Sequence, residues 1–172
     1  NDLKSLAKSY ENLSACFGYE KNFEESNKVL RLSLEIAEKI KDFRRIWSCK
    51  SNIAGNHLAL GNINRSEKLY IETLKISEQL GMSDFKASSL SSIASVKNAK
   101  VDFQSTIKYR KQAFSLYKEI GEERFIIQTA FSLGHDYFSV GDYSESIKYF
   151  DMAKLFYEKN GVKHMMARVY NR

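Results

Sequence analysis

The stretches YEKNFEESNKVLRLSLEIAEKIK (19–41), ALGNINRSEKLYIETLKISEQLG (59–81), AKVDFQSTIKYRKQAFSLYKEIG (99–121) and SVGDYSESIKYFDMAKLFYEKNG (139–161) align without a gap, each starting forty residues after the last. A period of this size marks a stacked array of units, none of which can bury its own apolar face alone. The columns carry the reading. Phe23, Ile63, Phe103 and Tyr143 are large, and three residues later come Ser26, Ser66, Thr106 and Ser146. A second small column holds Ser33, Thr73, Ala113 and Ala153, followed by large Ile36, Ile76, Leu116 and Phe156. Upstream, Leu13, Ile53, Ile93 and Leu133 are each followed by a small residue: Ser14, Ala54, Ala94, Gly134.

Large residues spaced three, four and seven apart make the apolar stripe of a helix. Small residues in fixed columns let two helix backbones approach closely. The turns Glu20-Lys21-Asn22, Gly61-Asn62, Val101-Asp102 and Gly141-Asp142 separate two helices in each unit, with Asn or Asp placed to cap the second. Gly81, Gly121 and Gly161 suit a left-handed C-terminal cap, and Lys41 stands in that place in the first unit. The pattern predicts helices over 2–18, 23–40, 43–60, 63–80, 84–100, 103–120, 123–140 and 143–160, with a ninth from Val162.

These columns resemble the tetratricopeptide repeat, in which a Leu-Gly pair and a Tyr on helix A precede small residues on helix B. The fourth unit carries the resemblance best, through Leu133-Gly134, Tyr137, Gly141-Asp142-Tyr143, Ser146, Phe150 and Ala153. The period of forty exceeds the family's usual one, and the variant is similar to the long repeats of bacterial regulatory proteins, kinesin light chains and polarity adaptors. The resemblance implies an all-α fold: a right-handed α-α superhelix, or solenoid, of four helix-turn-helix repeats (1–41, 42–81, 82–121, 122–161) and a partial fifth (162–172). The array reads as one domain cut from a longer protein. The chain departs from the family in having no proline, and in Lys97 and Arg110, which replace a Tyr and a large apolar residue. Looser packing there, or snorkelling of the two basic stems, is expected.

Composition bounds the function. The chain is 172 residues long and 43% hydrophobic, with no apolar run long enough to span a membrane and no visible signal peptide. Cys16 and Cys49 occupy different columns; the spacing leaves a disulfide open, but free thiols in a reducing cytoplasm is the preferred reading. No Cys-x-x-Cys or Cys/His cluster suggests zinc, and no cofactor motif is present. The net charge of +6 comes from 27 basic and 21 acidic residues that interleave, the pattern of solvated helix faces. The densest basic stretch, Lys97, Lys100, Lys108, Arg110 and Lys111, is the one candidate for nucleic acid, and the interleaving argues against it. Phosphate loops, dinucleotide fingerprints, zinc-protease helices and nucleophile elbows are absent, so no enzyme activity is expected. His57, His135 and His164 have no carboxylate at ligand spacing, and His57 shares a packing column with Phe17 and Tyr137.

The resemblance also implies a concave face lined by helix A, read by column. Unit one would offer Glu11, Asn12 and Ala15, unit two Ser51, Asn52 and Gly55, and unit three Ser88, Ser91, Ser92 and Ser95. Unit four would offer Phe131, Ser132 and His135, with Phe138 nearby, and the partial fifth Arg168 and Arg172. Asparagine can hold an extended peptide backbone because it both donates and accepts. An aromatic beside arginines suits an anchor side chain and a carboxylate. The family's carboxylate clamp for chaperone tails is not reproduced: Asn52 fits its middle position, but Glu11, Ala15, Ser88 and Ser92 do not complete it. The expectation is a non-catalytic, cytoplasmic scaffold that binds a protein or peptide segment as the interaction module of a regulatory protein. The alternatives are a self-associating structural module, with a homo-oligomer as its product, or nucleic-acid binding through the third repeat.

Overall fold

The computed structural model describes residues 2–159, and all of the regular structure in them is helical. The helices are α1 (Asp2–Tyr19), α2 (Phe23–Lys39), α3 (Phe43–Ala59), α4 (Ile63–Gln79), α5 (Ser83–Ala99), α6 (Phe103–Ile120), α7 (Glu123–Ser139) and α8 (Tyr143–Lys159). Each boundary lies within a residue of the one the column pattern predicts. The predicted ninth helix and Gly161 lie outside the described residues.

The turns obey a stricter rule than the sequence suggests. Lys21, Lys41, Gly61, Gly81, Val101, Gly121 and Gly141 all have positive φ, one every twenty residues. In each turn the next amide donates back to the carbonyl five residues earlier, as in Asn22 to Phe17 (2.8 Å), Asp42 to Ala37 (2.9 Å) and Asp102 to Lys97 (3.0 Å). This is the bond pattern of the Schellman motif, which satisfies carbonyls the helix end leaves open. The donating residue then begins the next helix. Asn22, Asp42, Asp102 and Asp142 each accept the amide three residues on, at 3.1–3.3 Å. Asn62, expected to do the same, makes no such side-chain bond. Lys41, whose stop the sequence left indistinct, adopts the left-handed conformation of its glycine counterparts.

The chain forms two compact units, Asn1–Ser89 and Leu90–Arg172. In the first, α1 packs on α2, α2 on α3 and α3 on α4. Ser26 Oγ donates to the Ser14 carbonyl and Ser33 Oγ to that of Ala7, both at 3.0 Å. Only a short side chain lets α2 sit close enough to α1 for these bonds. Asn56 on α3 donates 2.9 Å bonds to Ser26 Oγ and Asn27 Oδ1 on α2. Leu30, Cys49 and Ile53 form one core cluster, with Leu34 and Leu69 against it. Trp47 stacks on Phe85 at 4.2 Å and its indole donates to Ser89 Oγ at 3.0 Å; Ser89 in turn donates to Thr73 Oγ1 at 3.1 Å.

In the second unit, α6 packs on α7 and α7 on α8. Ser146 Oγ donates to the Gly134 carbonyl at 2.8 Å. A Cβ on Gly134 would lie 2.7 Å from the Phe150 ring, so any side chain there would force that ring to move. Ile127, Ala153 and Tyr157 form one core cluster, with Ile126, Phe131 and Phe156 packed on it. Both small columns are buried in every repeat. Ile53, Ile93 and Leu133 are buried as well, whereas Leu13 on α1 is 43% exposed, no described helix preceding α1 to cover it.

Arg110 corrects the sequence expectation. It does not snorkel: it is buried, and its Nε donates to Asp136 Oδ2 at 2.5 Å with Nη2 3.5 Å from Oδ1. Burial pushes the Asp136 carboxyl above its usual range, and the guanidinium pulls it back only in part. Leu30, Tyr70 and Phe150 occupy the place of Arg110, whereas the column of Asp136 is mixed, holding Cys16, Asn56 and Val96. A buried pair of this kind contributes little net stability, but removing one partner strands a charge.

Two predictions follow from this packing. Val101 is β-branched, left-handed and 68% exposed, so it carries strain without packing gain. Val101→Gly relieves about 1–2 kcal/mol of strain, less the extra freedom given to the unfolded chain, for a net gain of roughly 1 kcal/mol. In urea unfolding the midpoint rises with unchanged slope; a lower midpoint would contradict the strain assignment. In the same assay, Arg110→Leu alone loses about 3–5 kcal/mol, whereas Arg110→Leu with Asp136→Val comes within about 1 kcal/mol of the parent or exceeds it. Equal losses in the single and double variants would refute the pairing.

Candidate functional site

The A helices α1, α3, α5 and α7 carry the residues predicted to line a groove. In the first unit, Asn12 on α1 and Asn52 on α3 are exposed. Their neighbours are more committed. Glu11 Oε2 lies 3.2 Å from Arg45 Nη1, and its other oxygen accepts a 3.6 Å bond from the Cys49 thiol. Arg45 also reaches Asp42, its Nε 3.4 Å from the carboxylate. Glu11 therefore serves as an α1–α3 tie, with its charge balanced. Ser51, in a predicted lining column, is partly buried, and its Oγ has no hydrogen-bond partner among the described residues. A Cβ on Gly55 would lie 3.3 Å from the Tyr70 hydroxyl, so a side chain there would press on that ring's oxygen.

In the second unit, Ser92 on α5 is partly buried. Ser95 and Ser132 spend their hydroxyls on the carbonyls one turn back, Ser91 and Gln128, at 3.2 and 3.0 Å. Phe131 and His135 sit one turn apart on α7 and meet edge-on at 4.7 Å. Phe150 of α8 closes the cluster, 5.5 Å from Phe131 and 5.0 Å from His135. His135 is thus packed in an aromatic group, partly buried, and Phe131 presents only part of its ring. Phe138 is exposed and meets Tyr143 edge-on at 5.6 Å. Arg168 and Arg172, the predicted carboxylate partners of this aromatic group, lie outside the described residues, as does His164.

His57 and Cys49 have packing roles. His57 is buried in the column of Phe17 and Tyr137, with Nδ1 unpartnered. Burial, aided by nearby Arg65 and Arg31, lowers its pKa, which keeps the ring neutral at pH 7. Both cysteines are free, Cys16 exposed and Cys49 buried. Burial pushes the Cys49 thiol up to about 11, so it is a poor nucleophile at pH 7. Among the described residues no group of His, Cys, Asp or Glu could hold a metal ion, and no helix is long and apolar enough to cross a membrane.

Sequence reasoning missed the polar ties, among them Glu11 with Arg45, Asn56 with Asn27, and Arg110 with Asp136. Each joins helices of neighbouring repeats. The signal was present in the last, where a basic residue stands in an otherwise apolar column and an acidic one appears in the next repeat.

The profile of the family described as Tetratricopeptide repeat matches residues 48–80. No curated protein sequence is significantly similar. Among solved structures, the apo form of RapI matches at a TM-score of 0.87 and 17% identity, over 96% of this chain and 60% of that one. A Rap protein complexed with Competence and Sporulation Factor matches at 0.88 and 19%, over 98% and 47%. The nearly identical repeats of a putative kinesin light chain from Podosopora anserina match at 0.77 and 15%, over 98% and 87%. The chain thus spans about half to three fifths of the two Rap proteins. The column pattern, the helix order and these likenesses show an all-α helical-repeat fold similar to that of tetratricopeptide proteins, with one such repeat matched at 48–80.

Proposed function

We propose that this repeat array is a non-catalytic interaction module of a cytoplasmic regulatory protein, and that it holds an extended peptide or protein segment along its A helices. The observation that carries the reading is the exposure of Asn12 and Asn52 at the same column of successive A helices, in columns otherwise filled by small or internally bonded residues. Two asparagines one repeat apart offer paired donors and acceptors to a peptide backbone. Ser92 continues the column in the third repeat. The fold shared with a Rap protein solved with Competence and Sporulation Factor supports a peptide as the class of ligand. In this reading Phe131 and His135 receive an apolar side chain, and Arg168 and Arg172 a carboxylate.

Self-association is the second reading. It rests on α1, where Leu6 and Leu13 are exposed although the same column positions in the second repeat, Ile46 and Ile53, are buried. Nucleic-acid binding through the third repeat loses support, because Arg110 is buried in its pair with Asp136 and Lys97 and Lys100 already have partners.

The test is selection from a random peptide library, followed by calorimetry on the parent and on Asn12→Ala with Asn52→Ala. The expected result is a selected peptide whose affinity drops about tenfold in the double variant, the effect of about 1.4 kcal/mol lost from backbone-directed hydrogen bonds. Its affinity should change little with salt, unlike nucleic-acid binding. Failure to select any peptide, or unchanged affinity in the double variant, would refute the groove. Light scattering over a concentration series decides the second reading: a mass that doubles with concentration supports it, and a constant monomer mass ends it.

A further inference from the structure

The first unit has an open surface depression of about 460 Å³ at its helix ends, away from the predicted groove columns. It lies between the turn that joins α2 to α3, the turn that joins α4 to α5, and the start of α1. Ile40, Phe43, Leu80 and Met82 give it an apolar lining. Lys4, Lys41 and Arg44 place three cations around it, and Asp42 is its one acidic residue. That carboxylate is already engaged, accepting the Arg45 amide at 3.2 Å and facing Arg45 Nε at 3.4 Å. Lys4 and Lys41 have no ion-pair partner among the described residues. Arg44 is held in place: its guanidinium carbon lies 5.5 Å from the centre of the Phe85 ring, which itself stacks on Trp47 at 4.2 Å.

The geometry points to a second binding site here, for a short peptide segment that carries a carboxylate next to an apolar side chain. The argument is one of complementarity. The lining is half apolar and half charged, so a ligand that presents both kinds of group matches it better than one that presents either alone. The cationic excess needs an anion, and a guanidinium pinned by an aromatic ring is pre-organised to pair with a carboxylate. A bare anion would leave Phe43, Leu80 and Met82 facing water, and an apolar ligand would leave the three cations unpaired. A segment with both features satisfies both. Lys41 also holds a left-handed backbone where its repeat counterparts Gly81 and Gly121 have no side chain to offer. None of the lining residues belongs to the A-helix groove, so this site stands or falls independently of the proposed function.

Calorimetry on the 172-residue chain tests the proposal with two acidic probes. Acetyl-Leu-Phe-Asp-amide carries a side-chain carboxylate, and acetyl-Ala-Leu-Phe with a free acid end carries a terminal one, so the pair separates the two sources of the group. The neutral acetyl-Leu-Phe-Asn-amide and inorganic phosphate are the controls. At least one acidic peptide is expected to bind below about 1 mM, with the neutral peptide and phosphate about tenfold weaker or more. Binding should also change the emission of Trp47, the chain's single tryptophan, through Arg44 and Phe85. Lys41→Gly with Arg44→Gln should weaken binding about tenfold, and folding is not at risk because glycine suits the left-handed turn. Asn12→Ala with Asn52→Ala should leave it unchanged. Absence of binding by both acidic peptides, equal binding by phosphate, full affinity in Lys41→Gly with Arg44→Gln, or loss in the asparagine variant would each overturn the site.

Discussion

Backbone-to-backbone closeness between paired helices is the constraint on which the other features of this chain depend. Ser26 and Ser146 each sit on a B helix and hydrogen-bond a carbonyl of the preceding A helix. Such a bond needs the helices within reach of a side chain one atom longer than alanine. A bulky residue in that column would push the pair apart and break the stripe behind it. The second small column, Ser33, Thr73, Ala113 and Ala153, is completely buried in all four repeats for the same reason. The left-handed residue every twenty positions keeps successive helices in phase with these columns. Helix length, turn and small residue thus have one shared spacing, and a change in any of them would misplace the other two.

The polar ties between neighbouring repeats add selectivity to this scheme. Apolar columns alone would let any repeat stack on any other, since their residues are nearly interchangeable. Asn56 with Asn27, and Arg110 with Asp136, match only their own neighbours. A buried ion pair contributes modestly to stability when complete and costs heavily when mismatched, so it disfavours wrong stacking more than it favours the right one. The same logic explains why Glu11, placed by its column in the proposed groove, is unavailable to a ligand: its carboxylate ties α1 to α3 through Arg45.

Most of the fold was legible in the sequence because repetition averages away the weakness of single propensities. Four copies of each column turned a weak helix signal into helix ends accurate to a residue. The turns were legible where glycine marked them, at Gly61, Gly81, Gly121 and Gly141. At Lys21, Lys41 and Val101 the turn was placed as well, but its left-handed backbone was not legible, because residue type gives no warning that a non-glycine residue will adopt it. Arg110 was misjudged because its column was read alone, and its partner lies twenty-six residues on, in the next repeat. The candidate groove was legible only as a set of positions. Asn12 and Asn52 are exposed, and the packing of His135 between Phe131 and Phe150 depends on ring contacts that no column reveals.

The measurement that bears most directly on this account is urea unfolding of Ala113→Leu beside the exposed control Gln112→Leu. Ala113 lies in the fully buried small column of α6, and Gln112 on its solvent side. If close helix approach governs the fold, Ala113→Leu loses about 1–3 kcal/mol through overpacking while Gln112→Leu stays within about 0.5 kcal/mol of the parent. Equal stability of the two variants would show that the small columns do not set the helix spacing, and would contradict the account.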